Sequence, residues 1–128
     1  MGIGWGLEVD VKSYKELEIW KKAMDLTVEV YKITGSFPPQ EKFGLISQMQ
    51  RAATSIPANI AEGWGRGTTK EYVRFLRVAR ASLMELETHL ILAQRLGYLP
   101  KDNLQPLQQE ITTLGKGINA LIRSLLSK

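Results

Sequence analysis

The chain has 128 residues, 44 % hydrophobic and 23 % charged, the balance of one globular domain rather than of a disordered chain. It has no cysteine, which excludes disulfides and thiolate metal sites and makes a cytoplasmic setting the expectation. No apolar run approaches the roughly 18 residues of a membrane span, and a formal charge of +4 directs attention to anionic partners.

Residues 1–12 begin MGIGWGLEVD, without the basic and apolar regions of a signal peptide. They are expected to form a loose tail ahead of a single domain at 13–128. Ser13 and Glu16 have capping-box spacing, which predicts a first helix running to about Ile33 and stopped by Gly35 and Pro38-Pro39. Pro39 suits the first turn of a second helix, predicted to reach Glu62 with Gly63 just past its end. Thr68 and Glu71 repeat the capping box for a third helix ending at Gly97. Pro100 and Asp102 lead into a fourth, which runs to about Leu126.

Periodicity gives the faces. The third helix places Tyr72, Leu76, Ala79, Leu83, Leu86, Leu90, Ala93 and Gly97 at alternating spacings of four and three. The fourth does the same with Leu104, Leu107, Ile111, Leu114, Ile118, Leu121 and Leu125. Such seams pack neighbouring helices at about 20°, and the short connections make consecutive helices antiparallel. The prediction is an all-α, up-down four-helix bundle.

Some apolar surface exceeds what that core needs. The first helix has two stripes, one of Leu17, Trp20, Met24 and Tyr31, the other of Ile19, Ala23, Leu26, Val30 and Ile33. The third helix adds Met84, Ile91 and Leu92 away from its seam. Surplus apolar faces of this kind mark an interface, so self-association is expected, with Trp20, Met84, Ile91 and Leu92 as interface candidates. The competing expectation is that Trp5 and the tail fold back over part of this surface.

The stretch SIPANIAEGWGRGTTKEYVRF, residues 55–75, carries most of what bears on function. It is no phosphate loop, because Lys70 follows two threonines and no strand precedes the glycines. Gly63, Gly65 and Gly67 are expected to end a helix and make a tight turn. Pro57 falls inside the second helix, where it removes the hydrogen bond to Ala53 and predicts a kink. Asn59 continues the apolar seam of Leu45, Met49, Ala52 and Ile56, and the carbonyl freed by Pro57 is one candidate partner for its amide. Pro57, Asn59, Glu62 and Gly63 thus form either a structural motif or a partner site.

Charge concentrates in the same place. Arg66, Lys70, Arg74, Arg77 and Arg80 stand against Glu71 alone within residues 63–80, a local excess equal to that of the whole chain. Lys70, Arg74 and Arg77 share one helical face, a stripe suited to phosphates. Trp64 is the nearby aromatic expected to be free to stack on a base. No base-reading motif accompanies the stripe.

The run at residues 48–87, together with ELEIWKKAMDL at 16–26, FPPQEKFGL at 37–45 and LGYLP at 96–100, resembles the four-helix-bundle proteins named for 23S rRNA intervening sequences. Accessory variability proteins of diversity-generating retroelements are more distantly similar. The resemblance implies an antiparallel bundle assembled as a homopentamer around a central channel. In the retroelement branch it also implies nucleic-acid or reverse-transcriptase partners.

Catalysis is not expected. His89 is the sole histidine, with Glu85 one turn before it, and a di-iron bundle needs far more ligands. No metal, cofactor, membrane or small-molecule substrate is foreseen. The expected function is a non-enzymatic oligomeric adaptor that binds RNA or a ribonucleoprotein through the basic stripe. The alternative is a scaffold that binds only protein.

Overall fold

A computed structural model describes residues 11–128, and among them there is no strand; residues 1–10 of the expected tail, Trp5 with them, lie outside the described residues. Four helices make up the fold: α1 (Glu18–Thr34), α2 (Leu45–Gly65), α3 (Thr69–Arg95) and α4 (Lys101–Leu126). Each packs on its neighbour in sequence, and α1 also meets α4, which closes an up-down bundle. One end of the bundle, here the glycine-turn end, therefore gathers the starts of α1 and α3 with the ends of α2 and α4.

The predicted seams of α3 and α4 are buried from Tyr72 to Ala93 and from Leu104 to Leu125, but Gly97, the last member read into the α3 seam, lies past the helix end and is exposed. In α1 the stripe that faces inward is Ile19, Ala23, Leu26 and Val30. Met24 and Tyr31, from the other stripe, are left exposed, as is Val28. The α3 end is a complete Schellman closure. Gly97 takes φ +81°, its N–H donates to the Gln94 carbonyl, and the Tyr98 N–H donates to that of Ala93.

Three local expectations are corrected. Ser13 and Glu16 do not cap α1; Ser13 Oγ accepts from Lys15 N–H above a single 3₁₀ turn, Tyr14–Glu16. Glu16 reaches back to Lys12 N–H, and extended Leu17 separates this turn from α1. Pro39 likewise opens only a 3₁₀ turn, Pro39–Glu41, and α2 begins at Leu45. There Glu41 Oε1 accepts from Leu45 N–H at 3.2 Å and Oε2 accepts from Tyr98 Oη at 2.9 Å. One carboxylate thus caps α2 and ties it to the α3–α4 connection, and that bond holds the Tyr98 phenol above its ordinary pKa. Thirdly, Gly63 does not end α2. It is helical and buried, and a Cβ there would meet Phe75 Cβ at 2.8 Å, so the glycine lets α2 and α3 approach. The residue with the left-handed turn conformation is Gly67, at φ +87°.

Helix α2 continues as helix through Pro57. The Ala53 carbonyl that Pro57 leaves without its usual donor accepts instead from Thr27 Oγ1 on α1, at 3.1 Å. Thr27 shares this proton with the Ala23 carbonyl of its own helix, at 2.8 Å. Asn59 is not the partner of that carbonyl. Its Nδ2 donates to the Ser55 carbonyl at 2.8 Å and to Ser55 Oγ at 2.9 Å. Ser55 Oγ in turn pairs with Ser82 Oγ on α3 at 2.9 Å, a polar clasp between the two helices.

On the α1–α4 side, Glu110 faces Asp25 and Glu29. Its carboxyl is pushed up, first by loss of hydration and then by those two charges. The folded state therefore holds the Glu110 proton more tightly than the unfolded chain does. Its contribution to stability is full below the unfolded pKa and is lost as pH rises through the folded one. Glu110→Gln is expected to raise the melting temperature at pH 7 and leave it unchanged near pH 3. For an exposed charge contact of about 0.2–1 kcal/mol the rise is at most a few degrees.

Candidate nucleic-acid interface

The basic stripe starts where Thr68 caps α3. Its hydroxyl accepts from Glu71 N–H at 3.2 Å, the predicted bond, and this places Glu71 in the first turn beneath the cations. Arg74 then grips Glu71 with Nε at 3.0 Å and Nη2 at 3.1 Å. Arg66 approaches the same carboxylate at 3.7 Å and Glu62 at 4.0 Å. Both guanidinium groups lie over the Phe75 ring, at 4.9 Å for Arg66 and 4.5 Å for Arg74. The Arg74 hydrogen bonds hold the Glu71 carboxyl below the usual carboxylate range, with the charges of Arg66 and Lys70 contributing. At neutral pH this cluster is a largely self-neutralised plate on the aromatic ring.

The remaining cations divide. Arg80 is half-buried, and its Nη1 donates to Asn119 Oδ1 on α4 at 2.9 Å, so it serves the α3–α4 seam. Lys70 and Arg77 are exposed, and no salt bridge to either is found among the described residues. They stand on the outer face of α3 beside a groove of about 530 Å³ formed with Val73, Leu125 and Leu126.

Trp64 is placed differently from the expectation of a free stacking surface. It is half-buried, packs against the core, and meets Tyr14 edge-on at 6.4 Å. Trp20 packs the same way, edge-on to Tyr14 at 5.4 Å. The two tryptophans and Tyr14 thus close the glycine-turn end over α1 and α2. Asn59 is bound into the serine clasp, and Glu62, three residues on, is exposed beside Arg66. His89 lies 3.4 Å from Glu85, one turn away on α3. Among the described residues no group of three or more His, Cys, Asp or Glu is placed to hold a metal ion.

Of the remaining interface candidates, Met84 is 61 % exposed and Leu92 44 %, while Ile91 is partly buried against the core. Val78 and Leu96 extend the exposed apolar run along α3. Elsewhere Met24, Val28 and Tyr31 make a second exposed run on α1, close to Phe43, which is 89 % exposed. Sequence reasoning passed over Phe43 because an apolar residue in a short connection shows no periodicity. It also passed over Thr27 and Asn119, whose roles depend on which helices become neighbours.

None of the helices is long and apolar enough to cross a membrane among the described residues. The sequence matches the model of a family described as "23S rRNA-intervening sequence protein" over residues 15–120. A crystal structure described as a protein with unknown function from the S23 ribosomal protein family of Bacteroides thetaiotaomicron VPI-5482 is similar in fold. It has a TM-score of 0.74 at 24 % identity, covering 82 % of this chain and 98 % of that one. No curated protein matches the sequence.

Proposed function

The chain belongs to the 23S rRNA-intervening sequence protein family, and from that footing we propose that it is a non-enzymatic, self-associating scaffold that binds RNA through Lys70 and Arg77. The observation that carries this reading is the outer face of α3. Its first turns present unpaired cations, and its later turns present Val78, Met84 and Leu92 to solvent. Copies that bury the apolar part against one another array the cations of every subunit on one assembly. A closed ring, the homopentamer implied by the resemblance, buries each copy of the patch equally. Contacts that are weak in one subunit then act together on one RNA strand.

Light scattering is expected to give a mass near five times 14.4 kDa, and Met84→Glu with Leu92→Glu is expected to give smaller, folded species. Single-stranded RNA is expected to bind with little sequence preference. Binding should weaken with salt at a log–log slope of about −0.7 per phosphate neutralised. Lys70→Gln with Arg77→Gln should flatten that slope by about 1.4 for each subunit engaged. The same change at Lys101 and Lys116 should leave it alone. A wild-type monomer removes the scaffold; an assembly that ignores RNA at about 50 mM salt removes the RNA.

The second reading is a scaffold that binds only protein. It is favoured by the Glu71 cluster, which spends Arg66 and Arg74 inside the subunit, and by the Arg80–Asn119 bond. An oligomer that fails to bind RNA at low salt makes it the better account.

A further inference from the structure

We infer that Arg74, whose charge Glu71 already answers, is the surface on which this protein stacks an unpaired RNA base. The inference rests on the RNA reading above and narrows it from phosphates in general to single strands. The Arg74 side chain is held from two sides. Its Nε and Nη2 donate to the two Glu71 carboxylate oxygens at 3.0 and 3.1 Å, which fixes one edge of the guanidinium group. Its central carbon stands over the Phe75 ring, 4.5 Å from the centroid. The result is a planar group of fixed position, and the side chain is still 55 % exposed.

Such a plane suits a base. Unpaired bases stack on aromatic rings and on arginine guanidinium planes alike, and their flat faces need no charge opposite them. A phosphate, by contrast, has to compete with the Glu71 carboxylate for the Nε–Nη2 edge. Duplex RNA keeps its bases paired and stacked on one another, and offers this plane nothing.

The cations lie where the backbone of a bound strand would run. Lys70 and Arg77 share with Arg74 a groove of about 470 Å³, lined also by Val78 and Ala81, with no acidic side chain among the described residues that line it. That space is within the range of about 300–1,000 Å³ usual for small ligands. Along the helix axis Lys70 stands about 6 Å before Arg74 and Arg77 about 4.5 Å after it. A base on the Arg74 plane therefore has a cation on each side, one for the phosphate before it and one for the phosphate after it. Neither cation has a salt bridge among the described residues. Glu71 thus does not subtract from the site; it converts the middle member of the stripe from a charge into a platform.

The test separates plane from charge at one position. Arg74→Lys keeps a cation and loses the plane, whereas Arg74→Trp keeps a plane and loses the cation. The probes are poly-uridine, an abasic strand of the same length and an RNA duplex, each titrated over a range of salt. Arg74→Lys is expected to weaken poly-uridine binding about five-fold or more, the size of a lost base stack, and by the same factor at every salt concentration. Its binding of the abasic strand and the duplex should match wild type. Arg74→Trp is expected to hold poly-uridine at least as well as wild type. Lys70→Gln with Arg77→Gln should instead flatten the salt slope for all three probes. Position 74 is on the exposed face of α3, so circular dichroism should show unchanged helix content in both Arg74 variants. No change with Arg74→Lys, or an equal loss on the abasic strand, overturns the inference and leaves the RNA reading standing. A loss with Arg74→Trp as large as with Arg74→Lys does the same. Wild-type protein that binds none of the probes at about 50 mM salt removes both.

Discussion

Gly63→Val is expected to destabilise the bundle by about 2–3 kcal/mol, measured by urea unfolding. Helix propensity alone argues the opposite sign, since glycine in a helix interior costs about 1 kcal/mol relative to alanine. The contact decides. A Cβ at position 63 would lie 2.8 Å from Phe75 Cβ and 3.2 Å from the Tyr72 carbonyl oxygen. Neither can rotate away, because both are fixed to the α3 backbone. The helices must separate at the glycine-turn end, and overpacking of this kind typically costs about 1–3 kcal/mol. Gly65 is the internal comparison. A Cβ there meets nothing within 4 Å, so Gly65→Ala is expected to be neutral or slightly stabilising. Equal effects at the two positions would show that the close approach of α2 and α3 is not what Gly63 provides.

Thr27→Val is the second large effect expected, a loss of about 1–3 kcal/mol. Valine keeps the branched shape and removes the hydroxyl, leaving the Ala53 carbonyl without the donor that answers Pro57. Substituting both positions isolates the cause. In the Pro57→Ala background a backbone N–H returns to pair with that carbonyl, so Thr27→Val should cost much less there. The two effects should be coupled by about 1 kcal/mol or more. An identical cost in both backgrounds would assign the threonine's value to its bond with Ala23 instead.

These cases also show where the sequence was legible. The α3 and α4 seams could be read outright because an uninterrupted four-three spacing has one way to face a core. The Thr68 cap and the Gly97 closure depend only on residues within a turn or two; both formed, although the Glu71 carboxylate turns to Arg74 and leaves the Thr68 capping box half made. What failed depended on partners far along the chain. Ser13 and Glu16 have a helix-start spacing, but extended Leu17 places that start one turn later. Gly63 has the composition of a helix end, while the Phe75 contact that determines its role lies on the next helix. Of the stripe, the charge was legible and the pairing was not. Glu71 was visible as the single acid, but its capture of two arginines over Phe75 depends on side-chain geometry. Trp64 and Trp20 could not be placed without Tyr14, which brings both rings to one corner.

The connection between α2 and α3 is only three residues long, and this has a kinetic consequence. Closing so short a loop costs little chain entropy, whereas pairing α1 with α4 must first order most of the polypeptide. The α2–α3 hairpin is therefore the natural nucleus, with contacts such as Gly63–Phe75 formed while the outer helices are still searching. A crowded Gly63→Val hairpin should thus fold more slowly, with most of its lost stability in the folding limb of a chevron and little in the unfolding limb. The residue that sets how closely two helices rest would then also set how soon the chain finds its fold.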